Sequence, residues 1–117
     1  MNSGKIGEDA VVIYLENDGY EILERNFHSR WGEIDIIAKK EKCIVFVEVK
    51  LRKSEKFAQA AEFVDYHKQN RLRTTASMYL AQHPTKLQPR FDVIEIYAPD
   101  GYDTENPLIN HLEGAFE

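Results

Sequence analysis

"GEIDIIAKKEKCIVFVEVKLR", Gly32 to Arg52, reads as two apolar strands, about 33–38 and 44–51, joined by a charged turn. Asp35 and Glu48 lie inside these strands, among isoleucines, valines and a phenylalanine, instead of at their ends. If Lys39 pairs with Ile44, closing a four-residue loop over Lys40 to Cys43, the register of an antiparallel hairpin follows. Ile37 then faces Phe46, Asp35 faces Glu48 and Glu33 faces Lys50, and alternation puts all of them on one face. Opposed side chains have Cβ atoms roughly 4.5–5.5 Å apart. A slip of one residue undoes the arrangement.

Two carboxylates at about 5 Å repel by roughly 3 kcal/mol at an effective dielectric near 20. Protonation of one, an intervening lysine, or a divalent cation relieves that cost. Two acidic oxygen donors completed by water suit Mg²⁺ or Mn²⁺. Such an ion polarises a phosphoryl oxygen and turns bound water into a nucleophile at neutral pH. Lys50, two residues beyond Glu48, projects from the same face. There it is placed to orient or deprotonate the attacking water, or to stabilise charge on a phosphate. The bland alternative is an ion-paired, half-exposed sheet face. Against it, Val45, Val47 and Val49 line the other side of the strand while Ile44 and Phe46 accompany the acid, the pattern of a strand buried on both faces.

The chain has 117 residues, the size of a single domain, here spanning 1–117. Its net charge of -5 seems wrong for a nucleic-acid partner, but the charge is unevenly spread. Residues 39–73 hold ten Lys/Arg against five Asp/Glu, whereas residues 1–38 and 74–117 are each acidic by five. The basic excess therefore falls on the segment carrying Glu48 and Lys50, as suits a polyanion whose scissile phosphate meets a metal. The bland reading is a solvated helix and turn. A single cysteine, Cys43, excludes an internal disulfide and a thiolate zinc cage. With no apolar run long enough to span a bilayer and no signal-peptide pattern at the start, a soluble cytoplasmic protein is expected, without membrane association.

Around the hairpin, Ile6, Ala10, Ile13 and Tyr14 recur at helical spacing, with Gly19 placed for a left-handed cap. Tyr20–Phe27 reads as a strand and Ser29–Gly32 as a turn. A long helix follows, from about Asp65 to Gln82, with Leu72, Ala76, Tyr79 and Leu80 as its buried stripe. Pro84 and Pro89 bracket a loop, and Arg90–Tyr97 is a further strand. After a turn at Pro99–Gly101, "PLINHLEGAF" offers a short edge strand anchored by Phe116. The order implies an α/β protein with a mixed central sheet flanked by helices.

Other residues admit plainer readings. Glu8, near the start of the first helix, is explained by the helix dipole alone. His28, His67, His83 and His111 lack ligand spacing and read as surface or packing histidines. Asp92 reads as a structural acid pairing with Arg90 or a lysine. Trp31 and Phe27 flank the first turn; sealing the core edge competes with stacking on an unpaired base.

Asp35 followed by Glu48-Val49-Lys50 resembles the PD-(D/E)xK nuclease signature. "GEDA..YL...GYEILERNF", "GEIDIIA", "VFVEVKLR", "K..RL...A..YL" and "RFDVI" resemble, in order and spacing along nearly the whole chain, the YraN family of small bacterial predicted endonucleases. That family is distantly similar to archaeal Holliday junction resolvases. The resemblance implies a restriction-endonuclease-like fold, Asp35 and Glu48 as metal ligands, and Lys50 as the catalytic lysine. It also moves Glu8 into the active site as a further ligand. By position, it makes Arg52 a phosphate contact, while Lys68 and Arg71 either face DNA, branched DNA included, or flank the Leu72 stripe as solvated charges, and a homodimer follows by analogy with resolvases. One departure is that Ala58 and Ala60, after "KLRKSEKF", stand where the family has glycine and proline, so this connection is expected to be more helical. Two rivals stand beside this reading. One is a nuclease fold kept as a DNA- or protein-binding module without turnover. The other is an interaction protein whose acidic ends meet a basic partner.

Overall fold

Residues 3–52, 65–97 and 108–117 are described by a computed structural model, with side chains considered from Gly7 onward. The stripe expected to include Ile6 therefore lies partly outside the described residues, as do the segment holding Ala58 and Ala60 and the turn at Pro99–Gly101. The first helix, α1, runs Ser3–Asn17. It ends in a Schellman motif: Gly19, at φ +87°, bonds its N–H to the Glu16 carbonyl while Tyr20 N–H reaches Leu15. Its buried residues are Gly7, Val11 and Leu15, the last two fully enclosed, whereas Ile13 is 60% exposed. The expected placement of Ile13 is thus corrected. The run from Ala10 to Leu15 is apolar all round, so spacing alone does not choose which stripe faces the sheet.

Five strands form one mixed sheet in chain order: β1 (Glu21–Ser29), β2 (Gly32–Lys40), β3 (Cys43–Arg52), β4 (Gln88–Tyr97) and β5 (Leu108–Phe116). Only β3 and β4 run parallel, joined across helix α2 (Tyr66–Gln82); the other pairs are antiparallel. This is the α/β architecture anticipated, with a helix on each face as in restriction-endonuclease-like folds. Val45, Val47, Ile94 and Ile96 pack toward α1, while Ile44, Phe46 and Val93 pack toward Leu72, Ala76 and Tyr79 of α2. The centre of β3 is therefore enclosed on both sides. Truncating a residue such as Leu15 to alanine would cost about 2–5 kcal/mol.

The predicted hairpin register is present: Lys39 pairs with Ile44 and Ile37 with Phe46. The loop is tighter than expected, because Lys40 also pairs with Cys43 and Glu41 turns the chain at φ 55°. Pro89, expected to bound a loop, lies inside the β4 ladder opposite Ile44, one residue after Gln88 opens it opposite Cys43. β5 is the anticipated edge strand, with Phe116 stacked on Phe91 at 4.9 Å between ring centroids. Among the described residues no helix is long and apolar enough to cross a membrane.

Candidate active site

The β2–β3 ladder stops at the Ile36–Val47 pair, one position short of the carboxylates. At that point Asp35 Oδ2 accepts a 2.8 Å hydrogen bond from Val49 N–H, so a side chain replaces a rung of the ladder. The alternation of β2 breaks here as well. Ile34 joins the α2-side core and Ile36 the α1-side core, although they are two residues apart. On the neighbouring strand the residue opposite Asp35 is Asn26, which adopts φ 53° between the Arg25–Ile36 and Phe27–Ile34 pairs. An asparagine tolerates this left-handed conformation better than most residues. Asp35 thus stands just beyond the end of the β2–β3 ladder, tied to it through Val49 N–H.

Asp35 and Glu48 line one open cleft of about 250 Å³, together with Trp31, Gly32, Glu33, Lys68, Arg71 and Leu72. Glu48 is 8% exposed, and two cations hold its Oε1: Lys68 Nζ at 2.9 Å and Lys50 Nζ at 3.6 Å. The Lys68 backbone is fixed by the helix cap, since Asp65 accepts from Lys68 N–H at 2.8 Å. Glu33 does not face Lys50 across a ladder; it pairs with His28 of β1 at 3.8 Å. Glu8 sits in the second turn of α1, past the first-turn position that a dipole explanation needs. It reaches the site through Asn26, whose amide NH₂, oriented toward the acids, donates to Glu8 at 3.1 Å and Glu33 at 3.0 Å.

Electrostatics separate this cluster from ordinary ion pairs. Burial, then the neighbouring Glu48 charge, pushes the Asp35 carboxyl up to about 7, with Glu8 and Glu33 adding to the rise. Glu8 is raised too, chiefly by burial, with Arg25 opposing and Glu33 reinforcing the shift. Burial lowers Lys50, as do its hydrogen bond with Lys68 and the charges of Lys68 and Arg52, against the pull of Glu48. For Lys68, burial is outweighed by hydrogen bonds to Lys50 and Glu48, and its affinity for the proton rises. Perturbed groups of both signs around one cleft make it the candidate functional site of the described residues.

Asp92 provides an internal comparison. It also accepts a backbone N–H where a ladder is interrupted, from Gly114 at 3.0 Å between β4 and β5. Yet Arg90 binds it through two nitrogens at 2.9 and 2.8 Å, and His111 Nε2 lies 2.7 Å away. Burial raises the Asp92 carboxyl, but these hydrogen bonds outweigh it and hold the group below the ordinary carboxylate range. Tyr20 accepts from Arg90 at 2.7 Å and Tyr14 OH lies 2.9 Å from His111 Nδ1, closing a network between α1, β4 and β5. The structural reading of Asp92 and the packing reading of His111 both agree with this geometry. One buried aspartate is neutralised by its neighbours; Asp35 is opposed by them.

Of the residues expected to contact DNA, Lys68 and Arg71 lie at the cleft, while Arg52 points to a different partner. Its Nε is 3.7 Å from the fully buried Glu95, which also accepts from Asn110 at 2.9 Å. Asn26 escaped the sequence reading, though an asparagine inside a strand pattern was a signal for an irregular backbone there. Among the described residues no three His, Cys, Asp or Glu side chains converge as a ready ligand set.

A family model described as "Uncharacterised protein family UPF0102" matches residues 7–96. A UPF0102 protein of Caldicellulosiruptor bescii is 47% identical over 97% of this chain and 95% of its own. A UPF0102 protein of Caldanaerobacter subterraneus subsp. tengcongensis is 45% identical over 97% of this chain and 93% of its own. One of Persephonella marina is 44% identical over 97% and 92%. With a match that takes in α1, the distorted hairpin, α2 and β4, this chain belongs to the UPF0102 family.

Proposed function

We propose that this protein is a Mg²⁺- or Mn²⁺-dependent endonuclease that hydrolyses DNA phosphodiester bonds, the activity the YraN-type PD-(D/E)xK resemblance implies. The observation that carries it is the convergence of Asp35 and Glu48 on one cleft beside Lys50. The donor chemistry fits the metal: two carboxylates, with water filling the other positions, match what Mg²⁺ takes from proteins. Asp35 supplies the reason for a cation, because burial and Glu48 both oppose its negative charge.

Asp35 and Glu48 would hold the ion, which when bound supplies charge neutralisation and acidifies water. Asp35 is kept in place by Val49 N–H, and Glu48 by the two lysines. Lys50, with its lowered proton affinity, is suited to accept a proton from the attacking water or to orient it. Lys68 and Arg71 at the lip are suited to hold the phosphates flanking the scissile one. Glu8 acts one shell out, through Asn26 and its charge on Asp35.

One observation favours the rival of a binding module without turnover: Glu48 already has cations on it, Lys68 closest. The two readings part on one experiment. Purified protein is incubated with Mg²⁺ or Mn²⁺ and linear, single-stranded, flapped or four-way-junction DNA. Metal-dependent cleavage that Asp35→Asn and Lys50→Met abolish supports the endonuclease. DNA binding without cleavage under either metal supports the module.

A further inference from the structure

Trp31 is the only tryptophan in the chain, and it is 50% exposed at the lip of the cleft that holds Asp35 and Glu48. Its neighbour across the turn, Phe27, has a different fate. That ring packs edge-on against Tyr79 at 5.2 Å within the α2-side core, so Phe27 already closes the core edge. What sets Trp31 apart from the other exposed apolar side chains, Ile13, Tyr66 and Leu108, is its place on the lining of the charged cleft, where an indole offers both an apolar face and an N–H donor.

The turn that carries it is held from two sides. Trp31 N–H donates to Ser29 Oγ at 3.0 Å, and the same oxygen lies 2.9 Å from Thr75 Oγ1 of α2. Gly32 brings the backbone against α2, where an added Cβ would meet Arg71 Cβ and Thr75 Oγ1 at 3.5 Å. The ring is therefore presented on an anchored two-residue turn. Cations accompany it: the Arg30 guanidinium lies over one face of the ring, 5.1 Å from its centroid, so a stacking partner takes the opposite face, and Lys68 and Arg71 share the cleft lining. An aromatic platform among cations is how proteins grip unpaired nucleotides, with the rings stacking on bases and the cations tracking phosphates.

We infer that Trp31 stacks on an unpaired nucleobase adjacent to the phosphate bound in the cleft, so that the site takes DNA with a single-stranded segment in preference to uninterrupted duplex. This rests on the proposed nucleic-acid chemistry of the cleft and adds the substrate class. A base enclosed in duplex has both faces covered by its neighbours and offers none to the indole. A flap, a gap or the open centre of a junction does.

The test uses Trp31 as its own reporter. The intact protein is titrated in Ca²⁺, to bind without turnover, with a labelled single strand, a flapped duplex and a blunt duplex of the same sequence. Indole fluorescence and DNA anisotropy are read together. Quenching by the single strand and the flap but not the blunt duplex is expected. Trp31→Ala should weaken single-strand binding by about tenfold and leave duplex binding unchanged, with Trp31→Phe restoring most of the loss. Anisotropy that reports binding with unchanged fluorescence, or an equal loss on every DNA, overturns the stacking role while leaving the nuclease reading intact. If no DNA binds at all, the inference and the reading beneath it fall together.

Discussion

Replacing Asp35 with asparagine removes one charge from the cleft and keeps an oxygen to accept from Val49 N–H, so its effect isolates electrostatics. In the folded protein the Asp35 carboxyl is pushed up to about 7, from an ordinary 3.8. Between those values the native state binds a proton that the unfolded chain has released. Stability conferred by that proton is fully present below the ordinary carboxylate range and is lost as pH rises through about 7. Taken at face value the loss is about 4 kcal/mol, and about 2–3 once solvent at the open cleft is allowed for. Asp35→Asn should therefore stabilise the metal-free protein at pH 8, raising Tm by roughly 6–15 °C, and change it little at pH 4. Divalent cation should raise the Tm of the wild type at pH 8 by a comparable amount, about 2.7 kcal/mol at a hundredfold excess over Kd, and leave the variant unmoved. Thermal unfolding at both pH values, with and without Mg²⁺, measures all of this. A variant less stable than wild type at pH 8 would refute the claim that the Asp35 charge is uncompensated.

Four further outcomes follow from the structure. Lys68→Met removes the closest cation from Glu48 and should tighten Ca²⁺ binding by about tenfold in calorimetry, the equivalent of ~1.4 kcal/mol of lost competition. Asp92→Ala strands Arg90 and His111 and should cost about 3–5 kcal/mol in urea unfolding. Because the Asp92 carboxyl is held low, its contribution to wild-type stability should be present above the ordinary carboxylate range and fade as pH falls below it. Gly19→Ala, at φ +87°, should lower stability by about 1 kcal/mol through the helix cap, without altering metal affinity.

The hairpin was legible because two apolar runs flank a charged turn, and pairing Lys39 with Ile44 across that turn gives the register as far as the Ile36–Val47 pair. The tight loop was not, since Glu41 takes a left-handed conformation with no glycine or asparagine to announce it. The outward Ile13 was hidden by an apolar run that satisfies several stripes equally. Asp35 and Glu48 were readable as a pair. The link from Glu8 to the cleft, through the amide of the left-handed Asn26, joins α1 to β1 and is a tertiary feature. The Tyr14–His111–Asp92–Arg90–Tyr20 network joins residues up to 97 positions apart, and no local pattern encodes such a distance.

The central claim is that Asp35 and Glu48 share one divalent cation. A crystal soaked in Mn²⁺ at pH 8 and measured at the manganese absorption edge tests it directly. An anomalous peak bridging the two carboxylates, with Lys68 displaced from Glu48, is the predicted result. A map in which Lys68 stays on Glu48 and manganese binds elsewhere, or nowhere, would contradict the account.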